Sequence, residues 1–137
     1  MMASASIHKH QLPSEIDTLA KVEQIIENLK EEYSISEEIY ANILVSLSEA
    51  VNNAIKHGNK LDPNKLVSFV FDPSETEFNF TVVDQGGGFD YMNIPDPTHP
   101  DNLEKPDGRG IFIMKNLSDK VEFNESGSEV KISFNRH

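Results

Sequence analysis

The stretch SISEEIYANILVSLSEAVNNAIKHG, residues 34–58, decides how the rest of the chain is read. Ile39, Ile43, Leu47, Val51, Ala54 and Ile55 recur at three- and four-residue steps, the spacing that puts apolar side chains on one face of an α-helix. Ser34-Ile35-Ser36-Glu37 has the S-x-x-E form of a capping box at its start, and Gly58 is the expected stop. A long amphipathic helix must bury its apolar face against another layer, and the flanking sequence supplies one. Upstream, residues 7–12 suit a short strand. Ser14 stands at an N-cap position before the stripe Ile16, Leu19, Val22, Ile25, Ile26 and Leu29, which predicts a helix to about residue 32. Downstream of a turn-rich 59–64, residues 65–71 and 77–84 read as a hairpin around Asp72-Pro73-Ser74. Ile111, Ile113, Met114 and Leu117 predict a short helix, and 121–124 with 129–134 a second hairpin through Ser126-Gly127-Ser128. Helices on one side of paired strands give an α/β two-layer sandwich.

The chain has 137 residues, which argues for a single domain over 1–137. It contains no cysteine, so disulfide frameworks, zinc–thiolate sites and cysteine nucleophiles are excluded. Twenty-three acids against twelve bases give a formal charge of −11, which removes the general electrostatic footprint for direct nucleic-acid or anionic-membrane binding. Arg109 is the only arginine besides Arg136 near the end of the sequence. No apolar run approaches the roughly 20 residues of a membrane span, and residues 1–6 lack the features of a secretory signal, so the expected compartment is cytoplasmic. The N-x-S/T matches at Asn79, Asn116 and Asn124 are therefore read as chance. The five histidines show no i, i+4 pair, and no G-x-S-x-G elbow occurs.

Three local features call for chemistry. Glu49 and Asn53 lie about 40° apart around the long helix, with Asn42, Ser46 and Lys56 within about 60° of Glu49. Such a polar stripe is most simply a solvated face. Yet Asn42, Asn52 and Asn53 lower helix propensity and suggest a reason, since a carboxylate and an amide one turn apart can offer oxygen to magnesium and a base to a hydroxyl. The second feature is Val82-Val83-Asp84-Gln85-Gly86-Gly87-Gly88-Phe89, where a strand ends in an acid and then glycines. It is either a plain turn or a site where Asp84 accepts from an exocyclic amine while Gly86 and Gly88 let a flat ring approach. The third is Gly108-Arg109-Gly110 before 111–117: either glycine capping, or an anion site made of helix N–H groups and a guanidinium. Between them, 85–107 is rich in glycine and proline and long for a connection, as lids and binding loops are.

In order, Glu49-Ala50-Val51-Asn52-Asn53-Ala54-Ile55-Lys56-His57-Gly58, then Asp84-Gln85-Gly86-Gly87-Gly88-Phe89, then Gly108-Arg109-Gly110-Ile111-Phe112-Ile113-Met114 resemble the N, G1 and G2 boxes of the gyrase, histidine-kinase and mismatch-repair (GHKL) ATPase superfamily. The small branch it looks most like is that of the stand-alone anti-sigma-factor serine/threonine kinases. The resemblance implies a Bergerat-type ATP-binding fold, a mixed and mostly antiparallel sheet covered on one face by helices. It implies ATP and Mg2+ as ligands, Asn53 on the metal, Glu49 as general base, and Asp84 on the adenine amino group with Gly86 and Gly88 beneath. A lid would span about 89–107, and Gly108, Arg109 and Gly110 would meet the phosphates, with Arg109 near the γ-phosphate. In the last hairpin Gly127-Ser128-Glu129 stands where the family has Gly-Thr-Thr, so Ser128 keeps one hydroxyl by the nucleotide. The activity implied is transfer of the γ-phosphate to a Ser or Thr of a partner antagonist of STAS-like type. A sigma factor is a further expected partner, and a homodimer is compatible. The alternative is a nucleotide-gated interaction module with little or no transfer.

Overall fold

The computed structural model describes residues 7–86 and 106–136. Among them run β1 (His8–Pro13), α1 (Thr18–Glu32), α2 (Glu37–Asn53), β2 (Leu66–Pro73), β3 (Glu77–Val83), α3 (Pro106–Leu117), β4 (Lys120–Phe123) and β5 (Glu129–Asn135). The strands form one sheet in the order β1-β2-β3-β5-β4, and each of the four pairings is antiparallel. The two-layer α/β arrangement follows the sequence pattern, and both expected hairpins, β2–β3 and β4–β5, are present.

Alternation along each strand sends one set of side chains toward the helices. Cross-strand neighbours there make two rows: His8, Phe71, Phe80, Ile132 and Val121, then His10, Phe69, Val82, Val130 and Phe123. Phe71 and Phe80 lie 4.9 Å apart between ring centroids, and Tyr33 closes on Phe71 at 5.1 Å. From the helices, Val22, Ile26, Ile43, Leu47 and Val51 complete the core. The apolar stripes read from the sequence are these residues, except that Ile16 precedes α1 and is 52% exposed.

Three boundaries differ from expectation, each for a local reason. Ser14 does not cap α1, whose N-cap is Asp17 with no side-chain bond. Ser14 is buried, and its hydroxyl donates to the Lys65 carbonyl at 2.6 Å, a long-range pairing that outcompetes the helix end. The α2 cap is Ser36, whose Oγ accepts from the Ile39 N–H at 3.2 Å, while Ser34 takes a left-handed φ of 53° in the turn before it. The expected S-x-x-E box therefore does not form: the cap lies two residues later, and Ile39 rather than a glutamate takes the third helical position. At the other end α2 passes into a π-helical turn, Ala54–Gly58, where the Asn59 N–H reaches the Ala54 carbonyl at 2.8 Å. Gly58 is not the left-handed cap its sequence position suggests, because positive φ falls on Lys60 and Leu61 instead.

Asn59 ties this corner together. Its Nδ2 donates to Ser14 Oγ (2.8 Å) and the Leu66 carbonyl (3.1 Å), and its Oδ1 accepts from the Gln85 N–H (2.8 Å). One fully buried amide therefore joins the start of α1, the end of α2, and the ends of β2 and β3 that face the functional site.

Candidate functional site

The C-terminal half of α2, the end of β3, the start of α3 and the β4–β5 turn converge. Ala50, Asn53, Ala54, Val82, Asp84, Met114, Phe123, Gly127, Ser128 and Val130 line a narrow, largely apolar cleft of about 10 Å³. Apolar walls with a few convergent polar groups are the usual makeup of a site for a flat heterocycle.

Asp84 is buried one residue past β3. Its Oδ1 accepts from the Gly86 N–H at 2.9 Å, and its own N–H donates to the Ser128 carbonyl at 2.9 Å. The carboxylate lies flat on the helix end because Gly58 has no side chain: a Cβ there would fall 2.2 Å from Asp84 Oδ2. A Cβ on Gly86 would fall 1.7 Å from the Gly58 carbonyl oxygen. These two glycines let strand and helix backbones touch, and Gly86 is explained by that contact alone. Ser128 lies at the cleft, with its hydroxyl bonded to Asn124 Nδ2 (3.1 Å) and Ser126 Oγ (2.8 Å) in a turn where Gly127 supplies a φ of 79°.

On α2, Glu49 and Asn53 lie one turn apart and face α3 through Gly110. A Cβ on Gly110 would fall 2.7 Å from Glu49 Oε2 and 3.6 Å from Asn53 Nδ2. Asn53 is buried, and its Nδ2 has no hydrogen-bond partner among the described residues. Glu49 is half-buried; desolvation raises its carboxyl above the ordinary glutamate value, and the Lys56 charge offsets part of that rise.

The third motif is placed differently from its reading. Because α3 begins at Pro106, Gly108, Arg109 and Gly110 lie inside its first two turns rather than ahead of residue 111. Proline favours the first helical position, which fixes the earlier start. In a helix starting there the Gly110 N–H belongs to the intrahelical ladder, and the lack of a side chain at Gly110 lets α3 approach Glu49. Arg109 is exposed on α3. Gly88 and nearly all of the expected lid, 89–107, lie outside the described residues, which resume at Pro106.

Composition could not reveal Met114, Ala50 or Val130 as cleft walls, since each reads simply as core. Gly58 and Asn59 read as turn residues; their contacts to Asp84 and Gln85 span some 26 positions and leave no local signal.

The orphaned Asn53 Nδ2 is a donor and fits an acceptor such as a phosphate oxygen, while the amide oxygen of Asn53 and the half-buried Glu49 carboxylate one turn away are of the kind that a hard cation held with phosphates takes. Among the described residues, no three of His, Cys, Asp or Glu cluster in a way that could hold a metal by themselves. Nor is any helix there long and apolar enough to cross a membrane.

The histidine kinase-like ATPase domain model matches residues 12–134. The serine-protein kinase RsbW of Bacillus subtilis is 30% identical over 99 residues, 67% of this chain and 62% of that protein. The RsbW of Staphylococcus aureus is 29% identical over 97 residues, 65% and 61% of the two chains. The aligned part thus spans about three-fifths of these relatives. A crystal structure of the RsbU and RsbW domains of Rv1364c from Mycobacterium tuberculosis superimposes with a TM-score of 0.69, at 14% identity, over 98% of this chain and 33% of that one, a likeness of fold. With nine-tenths of its length matched, the chain belongs to the histidine kinase-like ATPase domain family.

Proposed function

We propose that this protein is an ATP-dependent serine/threonine protein kinase of the anti-sigma-factor type, acting on a hydroxyl of a partner antagonist. The observation that carries the reading is the pairing of desolvated Glu49 with buried, unpartnered Asn53 against Gly110. The names of the two RsbW relatives support it from outside the structure.

Adenine enters the cleft between Ala50, Val82 and Met114 and gives its amino hydrogen to Asp84. Asn53 would hold, through its amide oxygen, the magnesium that accompanies the phosphates, and that ion would neutralise phosphate charge. Glu49 accepts the proton of the acceptor hydroxyl as that oxygen bonds the γ-phosphorus and ADP leaves. A raised carboxyl pKa suits the task, because a base nearer neutrality accepts a proton with a better driving force. Arg109 and the first N–H groups of α3 offer positive charge near the transferred group. Little covalent chemistry is asked of the protein, so rate comes from positioning and charge.

Glu49→Ala should leave ATP binding nearly intact and slow transfer by roughly 10²–10⁴, the worth of a general base. Asn53→Ala should weaken magnesium-dependent ATP binding, read by calorimetry with and without the metal. Radiolabelled ATP with a cognate antagonist gives the rates. Transfer that survives Glu49→Ala overturns the base assignment. Tight ATP binding with no transfer by the parent protein replaces the kinase with a nucleotide-gated interaction module.

A further inference from the structure

The side chain of Asn59 is wholly buried, and its three bonds run in two directions. Nδ2 donates to Ser14 Oγ at 2.8 Å and to the Leu66 carbonyl at 3.1 Å, and Ser14 passes its own proton to the Lys65 carbonyl at 2.6 Å. Those bonds tie Asn59 to the start of α1 and to β2. Oδ1 turns the other way and accepts the Gln85 N–H at 2.8 Å. An amide has two donor hydrogens and one oxygen, so each part of the group is in use.

The oxygen bond lies in the middle of the contact that shapes Asp84. Asn59 follows Gly58, where a Cβ would fall 2.2 Å from Asp84 Oδ2, and Gln85 precedes Gly86, where a Cβ would fall 1.7 Å from the Gly58 carbonyl oxygen. Asp84 Oδ1 takes the Gly86 N–H at 2.9 Å. Residues 84, 85 and 86 thus each meet 58 or 59, and Asn59 joins the two turns between the glycine contacts. Gln85 is held again through its side chain, whose Oε1 accepts the Leu66 N–H at 2.6 Å.

The helix is distorted to bring this about. The Asn59 N–H reaches back five residues to the Ala54 carbonyl, at 2.8 Å, and closes the π-helical turn Ala54–Gly58. One extra residue in a turn rotates all that follows by about 100° relative to a continued α-helix, and such turns are uncommon outside functional sites. Here the rotation carries Gly58 beneath the Asp84 carboxylate and Asn59 into the corner.

We infer that Asn59 is a positioning residue for nucleotide specificity: by holding the Asp84–Gln85 peptide through Oδ1, it sets the Asp84 carboxylate before nucleotide arrives, in the orientation that takes an exocyclic amino group. A carboxylate fixed in this way gains a hydrogen bond from adenine and meets only an oxygen at the same place on guanine. The inference rests on Asp84 as the residue that reads adenine and specifies what aims it.

The test measures ATP and GTP affinities by calorimetry with magnesium, on the whole protein well below its melting temperature. The parent should prefer ATP. Asn59→Ala should lower the ratio of ATP to GTP affinity about tenfold, with the loss on the ATP side. Ser14→Ala removes the arm toward α1 and leaves the Gln85 N–H bonded, so it should lower the melting temperature and keep the ratio. An unchanged ratio in Asn59→Ala overturns the inference. An equal fall in Ser14→Ala overturns it too, because the firmness of the corner rather than the Gln85 bond then sets specificity. If Asn59→Ala does not fold, hydrogen exchange of the parent decides: the Gln85 amide should be protected before nucleotide is added, and exchange at the rate of an unstructured chain overturns the inference. Asp84→Asn separates the two levels. ATP preference that survives Asp84→Asn removes the adenine reading itself, whereas preference lost there but kept in Asn59→Ala removes only the role of Asn59.

Discussion

The face of α2 that meets the sheet and the face that meets α3 come from the same 17-residue helix, yet they treat polar atoms in opposite ways. Toward the sheet, Ile43, Leu47 and Val51 are fully buried in one apolar cluster with Phe69, Phe71 and Phe80. Toward α3 stand Asn53, whose buried Nδ2 has no partner among the described residues, and Glu49 with a carboxyl pushed up by desolvation. Each buried polar group left without a partner costs about 1–3 kcal/mol. The aromatic side of the domain offsets that loss, and the polar side uses it to keep ligand-binding groups uncommitted. Stability and chemistry therefore sit on different sides of one rod, and substitutions should separate them.

The largest separation is expected at Phe71, which packs against Tyr33, Phe78, Phe80 and the ring of His8. Phe71→Ala should lower folding stability by about 3–5 kcal/mol in urea titration, because the cavity adds to the lost transfer energy. Nucleotide affinity per folded molecule, measured well below the melting temperature, should stay close to that of the parent. Loss of affinity in the folded fraction would break the division between the two faces.

A sharper contrast comes from two glycines. Alanine at Gly86 would drive its Cβ into the Gly58 carbonyl, backbone against backbone, so the strand end must move. The expected loss is about 1–3 kcal/mol of stability, with weaker ATP binding as Asp84 shifts. Alanine at Gly110 meets only the Glu49 carboxylate tip and the more distant Asn53 amide. There the helix gains roughly 0.5–1 kcal/mol in propensity while the carboxylate is displaced, so the melting temperature should hold or rise as transfer slows. Melting temperatures that fall equally in both variants would show that α3 tolerates no local adjustment and would remove the contrast.

These two glycines also show where sequence reading stops. Period-2 and period-3.6 patterning revealed the strands and helices of the described residues because an element's apolar face reports its own burial, as Phe69, Phe71, Ile43 and Leu47 do. That Glu49, Asn53 and Asp84 come together was foreshadowed too: asparagine runs against helix propensity in α2, and an acid closes the buried strand β3. What stayed hidden depends on contacts made far away in sequence. Gly58 is glycine because Asp84 lies on it, and Ser14 is drawn from the helix end by Lys65 and Asn59. Pro106 moved the start of α3 ahead of the apolar period, so a motif read as a loop became helix. Ser46 looked like part of a solvated stripe; only burial without a partner sets it apart.

The smallest effect expected is a pair of opposed pH dependences, one from each region. Burial raises the Glu49 carboxyl above its ordinary 4.5, with Lys56 opposing. Between the unfolded and folded values the native state binds more protons, so this group's contribution to stability is present at low pH and falls as pH rises through the window above 4.5. Under the edge of the aromatic sheet, burial and then the charge of neighbouring His8 lower the His10 imidazole below 6.5. Here the unfolded chain binds more protons between the two values, so stability is present above 6.5 and is lost as pH falls through the folded value. Both side chains remain partly open to water, which keeps each slope shallow. Urea midpoints across the acid-to-neutral range for the parent, Glu49→Gln and His10→Gln isolate the two contributions by difference. The Glu49 difference should decline with pH and the His10 difference should climb. If the Glu49 difference climbs with pH instead, the carboxyl on the α3 face of α2 is held by a partner rather than by desolvation, and the uncommitted character of that face is lost.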